Sequence, residues 1–285
     1  MSFAAIESSI ESGEPILLFD FSLGLLHFRY TTADRPIVWP AGSGITFAST
    51  PVDRGPVKQG SEIKQQTLKV TGPRDLSVGQ LYAVTPPTTP VALTIIKVHY
   101  TDSAFQGLVD WLGRVVSCRW IGSKVELSCE PVYTAVQTMG LRRRWQIGCP
   151  HVVYGPQCTV VPAAFAVPGT LTAVSGFTIT AAAWATPPTG LLFTGGFVTW
   201  DTGNGYLERR TINSVASGGA LTLDNTFEGL VVGQLVNAYP GCNRTPTNCA
   251  SFRNFADGVS AANGLLYGGQ FYIPTRNPMN GTPVY

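Results

Sequence analysis

The sequence predicts a mainly β protein built in two parts, and three observations carry that prediction. Charged residues make up 13% of the chain, about half of the roughly 25% usual in globular domains. Glycine and proline number 31 and 21, a mix that punctuates the chain with turns and disfavours long helices. Apolar residues reach 44%, and in many segments they alternate with polar ones at the period of a half-buried strand. The 285 residues suffice for two cores.

Short strands are expected in the first part at Ile16 to Phe21, His27 to Tyr30, Ile45 to Phe47, Thr67 to Thr71 and Val91 to Tyr100, with Pro-rich and Gly-rich joints between them. The segment RVVSCRWIGSKVELSCE predicts a hairpin turning at Gly122-Ser123, with glycine at the first central position as a type II′ turn requires. In that register Trp120 faces Val125, Cys118 faces Leu127 and Val116 faces Cys129 on an apolar side. Arg119 opposes Glu126 and Ser117 opposes Ser128 on the other side. Cys118 and Cys129 then sit as diagonal neighbours, too far apart for a disulfide, and read as small buried apolar residues.

From Trp145 to Trp200 the chain carries no Asp, Glu, Lys or Arg, a run long enough to raise the possibility of a membrane span. Pro162, Pro168, Gly169, Gly176, Pro187 and Pro188 interrupt it, and Thr170 to Val174 and Phe177 to Thr180 alternate, so strands are expected instead. Further strands are expected at Leu191 to Trp200, Tyr206 to Val215, Ala220 to Leu223 and Leu230 to Asn237. The division predicted is an N-terminal β domain over 1–140 and a C-terminal region over 141–285 containing an inserted β unit at about 165–240.

The net charge of +2 arises from 19 basic and 17 acidic residues without a long basic tract, which argues against a nucleic-acid or membrane surface. So neutral a surface suits a subunit that buries area against neighbours. The opening MSFAAIESSIESGEPILL has no basic flank and carries Glu7, Glu11 and Glu14, so folding in a reducing cytoplasm is expected. There, cysteines act as ligands, catalysts or buried residues more often than as disulfides.

Two cysteine pairs flank the second β unit. GCPHVVYGPQC places eight residues between Cys149 and Cys158, and GCNRTPTNC places six between Cys242 and Cys249. Turn-rich loops of this kind can set thiolates inward on one soft metal. If the pairs meet, the 83 intervening residues form a domain tied at its base, and metal binding becomes folding energy. The spacings match neither usual zinc nor common ferredoxin patterns, leaving zinc, iron-sulfur and disulfides open. His151 is a weaker candidate ligand. Arg143, Arg144, Arg244 and Arg253 are candidates to balance the charge of a thiolate-bound centre.

LGRVVSCRWIGSKVELSCEP, LRRRWQIGCPHVVYGPQC and GCNRTPTNCASFRN, followed by FYIPTRNP, together resemble the tail-hub family of phage and gene-transfer-agent proteins, and distantly the tail-tip L protein of lambda-like phages. The resemblance implies a hub-type β domain followed by a small cysteine-closed β domain, with Cys149, Cys158, Cys242 and Cys249 holding a 4Fe-4S cluster. It implies a homotrimer at the virion tail tip, between the distal tail ring protein and the central fibre or receptor-binding proteins, with the tape-measure protein as a further neighbour. Ala256 to Gly269 departs from the family as a longer link and is a candidate interface loop. Two rival functions find less support in the residues. For an iron-sulfur redox protein the sequence offers no nucleotide-binding glycine-rich loop after a strand and no flavin signature, and for a tail-associated cell-wall hydrolase no HExxH, GxSxG or Cys-His arrangement.

Overall fold

A computed structural model describes residues 3–9, 11, 13–57, 67–102, 105–137, 146–188, 190–227, 229–257, 267–270 and 272–273. The chain is mainly β. It divides into two compact units, one of residues 1–139 with 201–208 and one of residues 140–200 with 209–285.

The first unit is organised by nine strands: β1 (Pro15–Leu23), β2 (Leu26–Thr31), β3 (Ile37–Val38), β4 (Thr46–Ser49), β5 (Asp53–Arg54), β6 (Leu68–Pro73), β7 (Ala92–His99), β8 (Gly107–Ile121) and β9 (Lys124–Pro131). Their order in the sheet is β3-β4-β2-β1-β7-β8-β9-β6-β5. β2 and β4 run parallel. β1 and β7 pair centrally and bury both faces: Phe19, Phe21, Leu23, Leu93 and Ile95 enter one apolar cluster, Ile16, Leu18, Ile96 and Val98 another. Two-sided burial explains why these segments read as nearly unbroken apolar runs.

The β8–β9 hairpin turns as expected. Gly122 takes φ +57° while Ser123 keeps a negative φ, the pattern of a type II′ turn. Ile121, Trp120, Arg119, Cys118 and Ser117 pair with Lys124, Val125, Glu126, Leu127 and Ser128. Beyond Ser117 the expected register fails, because a bulge between Val115 and Ser117 sets Val115, not Val116, opposite Cys129. The extra residue turns Val116 outward, where it is 49% exposed, while Val115 is buried. β8 also begins at Gly107, earlier than its clear alternation. A second irregularity lies in its pairing with β7, between Ile95 and Ile96, and such a break in register breaks the period-two signal.

Cys118 and Cys129 are free thiols, packed with the Leu127 and Val125 core. Burial pushes Cys118 up to about 11 and Cys129 up to about 12, so both stay protonated and unreactive at neutral pH.

The second unit holds seven strands: β10 (Val167–Thr170), β11 (Ala173–Ser175), β12 (Thr178–Thr180), β13 (Leu192–Asp201), β14 (Leu207–Ala216), β15 (Ala220–Leu223) and β16 (Leu235–Gly241), in the order β10-β16-β13-β14-β15-β12-β11. Trp184, Phe193, Val198, Trp200, Ile212, Leu221 and Val236 fill its core. Two expectations are corrected here. The run Thr170 to Val174 is not one strand: the Leu171 N–H bonds Gln234 O and the Thr172 N–H bonds Thr180 O, so the chain passes there from one end of the strand order to the other. Leu230 to Asn237 is not one strand either, because a turn over Val231–Gln234, with Gly233 at φ +92° and the Val231 N–H bonding Gln234 Oε1, delays β16 to Leu235. Turn chemistry overrides the β preference of two valines.

The helices are α1 (Phe3–Glu7), α2 (Ser77–Gln80) and α3 (Pro246–Asp257). Among the described residues none is long and apolar enough to cross a membrane.

Leu127→Ala should cost about 2–5 kcal/mol in chemical denaturation, as deletion of a buried leucine does, whereas Val116→Ala should stay within about 0.5 kcal/mol. Equal losses would show that the bulge is misplaced. Alkylation followed by mass spectrometry should leave Cys118 and Cys129 largely unmodified at pH 8, where a thiol titrating near 11 is only about one part in a thousand thiolate. Because burial raises both folded-state values, their contribution to stability is complete below about pH 8.5, where an unfolded thiol stays protonated. It is lost progressively as pH rises toward the values of about 11 and about 12 in the folded protein. Stability unchanged between pH 8 and 11 in wild type relative to a Cys118→Ala/Cys129→Ala variant would contradict this assignment.

Candidate metal centre

The two cysteine loops meet. β16 lies between β10 and β13 in the sheet, and its last residue, Gly241, delivers Cys242 to the base of the unit. The pairing of β13 with β16 slips between Leu192 and Phe197, and there two backbones come so close that side chains are excluded. A Cβ on Gly196 would stand 2.0 Å from Tyr239 O and one on Gly241 2.1 Å from Thr194 O. The Cys149 N–H then donates to Arg244 O at 3.2 Å, tying the first cysteine loop to the second.

The second loop is not a turn throughout. Thr245 caps α3, its Oγ1 accepting the Asn248 N–H at 3.3 Å with Pro246 at the first helical position, and the Cys249 N–H bonds Thr245 O at 3.0 Å. Cys249 therefore sits in the first helical turn. The threonine-proline pair carries this start in the sequence, but the Gly-Cys opening and the second cysteine six residues on read as a loop.

Cys149, Cys158, Cys242 and Cys249 all line one small cavity together with His151 and Tyr267. Its apolar wall includes Val153, Val160 and Phe252, and Phe252 packs with Phe165 and Leu191 in a separate buried cluster. Tyr154, flanked by the rings of Phe165, Phe197, Tyr239 and Phe252, donates its hydroxyl to Pro240 O at 2.9 Å. Burial first, and then the neighbouring Cys158 and Cys242, raise its phenol above the ordinary range. Backbone strain gathers at the same place. Tyr154, Thr159 and Arg244 take left-handed φ of 62°, 57° and 61°, a cost that persists where surrounding structure enforces it, often at functional sites.

A late segment completes the site. Tyr267 donates to Ile147 O at 2.6 Å, the Gly268 N–H reaches Cys149 Sγ at 3.4 Å and the Gln270 N–H bonds Gln146 O. The candidate interface stretch Ala256 to Gly269 thus ends on the thiols; its residues 258–266 lie outside the described residues. Tyr154 stands within the GCPHVVYGPQC motif, whereas Tyr267 and Gly268 carry no motif or spacing that singles them out in the sequence, and their role emerges from the fold.

The donor chemistry fits a thiolate-bound metal. Four thiols, the donor type a soft metal takes, line one space, and two backbone N–H groups point at sulfur, Gly268 to Cys149 and Arg244 to Cys242 at 3.4 Å. None of the four is in a disulfide, and burial, only partly offset by the Arg244 N–H, raises Cys242 above the ordinary thiol range. Among the described residues no three His, Cys, Asp or Glu side chains stand in ligand geometry, and the cavity of about 20 Å³ has room for one water-sized centre. Of the candidate counter-charges, Arg244 flanks Cys242, and Arg253 lies in α3 with its side chain outside the described atoms. Arg143 and Arg144 lie outside the described residues.

Residues 191–276, which contain Cys242 and Cys249, match the model of a family described as Phage conserved hypothetical protein BR0599. Over nearly its full length the chain shares the fold of a protein in the virion of the native gene transfer agent (GTA) particle, with a TM-score of 0.74, 18% identity, and 99% and 96% of the two chains covered. A protein of Xylella fastidiosa (strain 9a5c), described as uncharacterized, is 26% identical over 183 residues, covering 59% of this chain and 37% of the relative. The chain thus spans well under half the length of that relative.

Gly268→Ala would place a Cβ 2.6 Å from His151 Nε2; it should cost about 1–3 kcal/mol and speed loss of bound metal to a chelator. Gly148→Ala, which meets nothing nearer than 4.0 Å, should do neither. Equal metal retention in both variants would remove the Tyr267–Gly268 segment from the site.

Proposed function

We propose that the chain is a non-enzymatic structural subunit of a phage-type virion: a hub at the tail tip, lying as a homotrimer between the distal tail ring and the central fibre or receptor-binding proteins. The observation that carries this reading is the likeness of fold to a gene-transfer-agent virion protein across almost the whole of both chains. The phage family match over 191–276 adds to it, as does a composition with only 13% charged residues, suited to broad contact with neighbours.

Cys149, Cys158, Cys242 and Cys249 are the residues that would hold a metal centre. When bound, such a centre supplies a cross-link between the two cysteine loops and so contributes folding energy. Cys149 and Cys158 hold one end of the second unit's β region, and Cys242 and Cys249 the other. The family resemblance favours a 4Fe-4S cluster, with zinc as the alternative.

Iron, acid-labile sulfide and zinc measured per chain after anaerobic purification test the centre. About four iron and four sulfide indicate a cubane, one zinc indicates a single-ion staple, and neither metal refutes the centre. Cys149→Ser should abolish metal loading and yield particles with missing or unstable tips, while Cys118→Ala should leave both intact. Normal assembly and infectivity of Cys149→Ser particles would sink the stapling role.

A further inference from the structure

In β7, Leu93, Ile95, Lys97 and His99 stand on one face by the two-residue period of a strand, and Leu93 and Ile95 enter the large apolar cluster of the first unit. Two polar residues, Lys97 and His99, therefore continue the core face toward the end of the strand, opposite Leu17 and Pro15 of β1. α1 packs there. Glu7 takes the Lys97 ammonium on Oε1 and His99 Nε2 on Oε2, the latter at 2.6 Å, and the Phe3 ring centroid lies 5.0 Å from that of His99.

Little else holds this helix. Ile6 is its buried residue, at 3% exposure, while Ala4, Ala5 and Glu7 are exposed. Five residues are too few to stay helical without such an attachment. His99, by contrast, is 1% exposed. An ionised carboxylate only accepts, so Nε2 carries the ring proton in the contact with Glu7 and Nδ1 is left with a lone pair. That nitrogen is buried and has no hydrogen-bond partner among the described residues, a cost that water relieves once α1 moves away. The closed arrangement is thus opposed by an unsatisfied ring nitrogen and secured by the charge-assisted bonds of Glu7.

The Lys97 hydrogen bond first, and the His99 hydrogen bond second, hold the Glu7 carboxyl below its ordinary value of 4.5. A lowered folded value means that the contact is complete above the ordinary value and is lost as pH falls through the folded one. The other charged or titratable groups at this end of the strand are Glu14, Asp102 and Tyr100. The Glu14 carbonyl accepts the Tyr100 N–H, and the Asp102 carboxylate accepts the Gln106 N–H at 3.1 Å. Tyr100 packs on the opposite face of the sheet, with Arg35 over its ring.

We infer that α1 is an acid-released latch: ionised Glu7 clamps the helix over Lys97 and His99, and its protonation frees the helix and bares that end of the core face while the sheet stays folded. The device is independent of the thiol cavity and of the tail-tip reading.

Hydrogen exchange of the full chain, followed by mass spectrometry from about pH 7.5 to 3 and corrected for intrinsic exchange rates, tests it by comparing residues 3–9 with β1 and β7. The Ser8 and Ser9 N–H groups, bonded to Ala4 O and Ile6 O, report on α1. In the wild type their protection should hold down to the ordinary carboxylate value of 4.5 and fall below it, while protection of β1 and β7 persists. Glu7→Gln, which keeps the size and loses the charge, should lower protection of residues 3–9 about tenfold at neutral pH, the loss of a hydrogen bond to a charged group, and remove its pH dependence. Glu11→Gln should change neither. Loss of protection in residues 3–9 only together with β1 and β7, or protection in Glu7→Gln equal to that of the wild type, overturns the latch. Should Glu7→Gln fail to fold, the wild-type titration decides.

Discussion

The close backbone approach at Gly196 and Gly241 is the constraint on which the second unit depends. Neither position has room for a Cβ, and the slip in the β13–β16 pairing that creates the contact also fixes where the succeeding residues of both strands lie. Cys242 comes next after Gly241, and Arg244 stands two residues further on in a strained conformation that links both cysteine loops through the Cys149 N–H. Phe197 comes next after Gly196 and is held against Tyr239, which makes the platform for Arg209. One glycine contact therefore positions both a cysteine of the thiol cavity and the ring pair on which Arg209 rests.

The six cysteines divide into two physical kinds. Cys118 and Cys129 lie on a hairpin packed into a large apolar core, where burial keeps them protonated and inert. Of the other four, Cys249 lies in the first turn of α3 and the rest lie in loops strained at Tyr154, Thr159 and Arg244, where Cys149 and Cys242 receive N–H donors at sulfur. Strain of this kind is retained where something else over-determines the conformation. Here the aromatic cluster around Tyr154 and the cross-loop hydrogen bonds supply that constraint without a large core.

Much of the β architecture was legible in the residues because burial writes itself as periodicity. Two-sided burial made β1 and β7 visible as continuous apolar runs, and Gly122-Ser123 specified its turn because only glycine adopts that φ without strain. The pairing of the two cysteine loops was legible as chemistry, since Gly-Cys loops rich in turn residues bracket the second β unit. The start of α3 was present in Thr245-Pro246 but outweighed by its loop-like setting.

Tertiary structure alone decided the rest, because it depends on contacts between residues far apart in the chain. The bulge that turns Val116 outward costs one residue of register and leaves no composition signal. The turn at Val231–Gln234 overrode two β-branched residues through a side-chain hydrogen bond that local propensity cannot foresee. Gly268 joins Cys149, and Tyr267 joins Ile147, across 119 and 120 residues of sequence. Sequence determined which residues could form a soft-ligand site and a mainly β frame. Only the folded chain decided which of them meet, since that depends on strand order and backbone proximity.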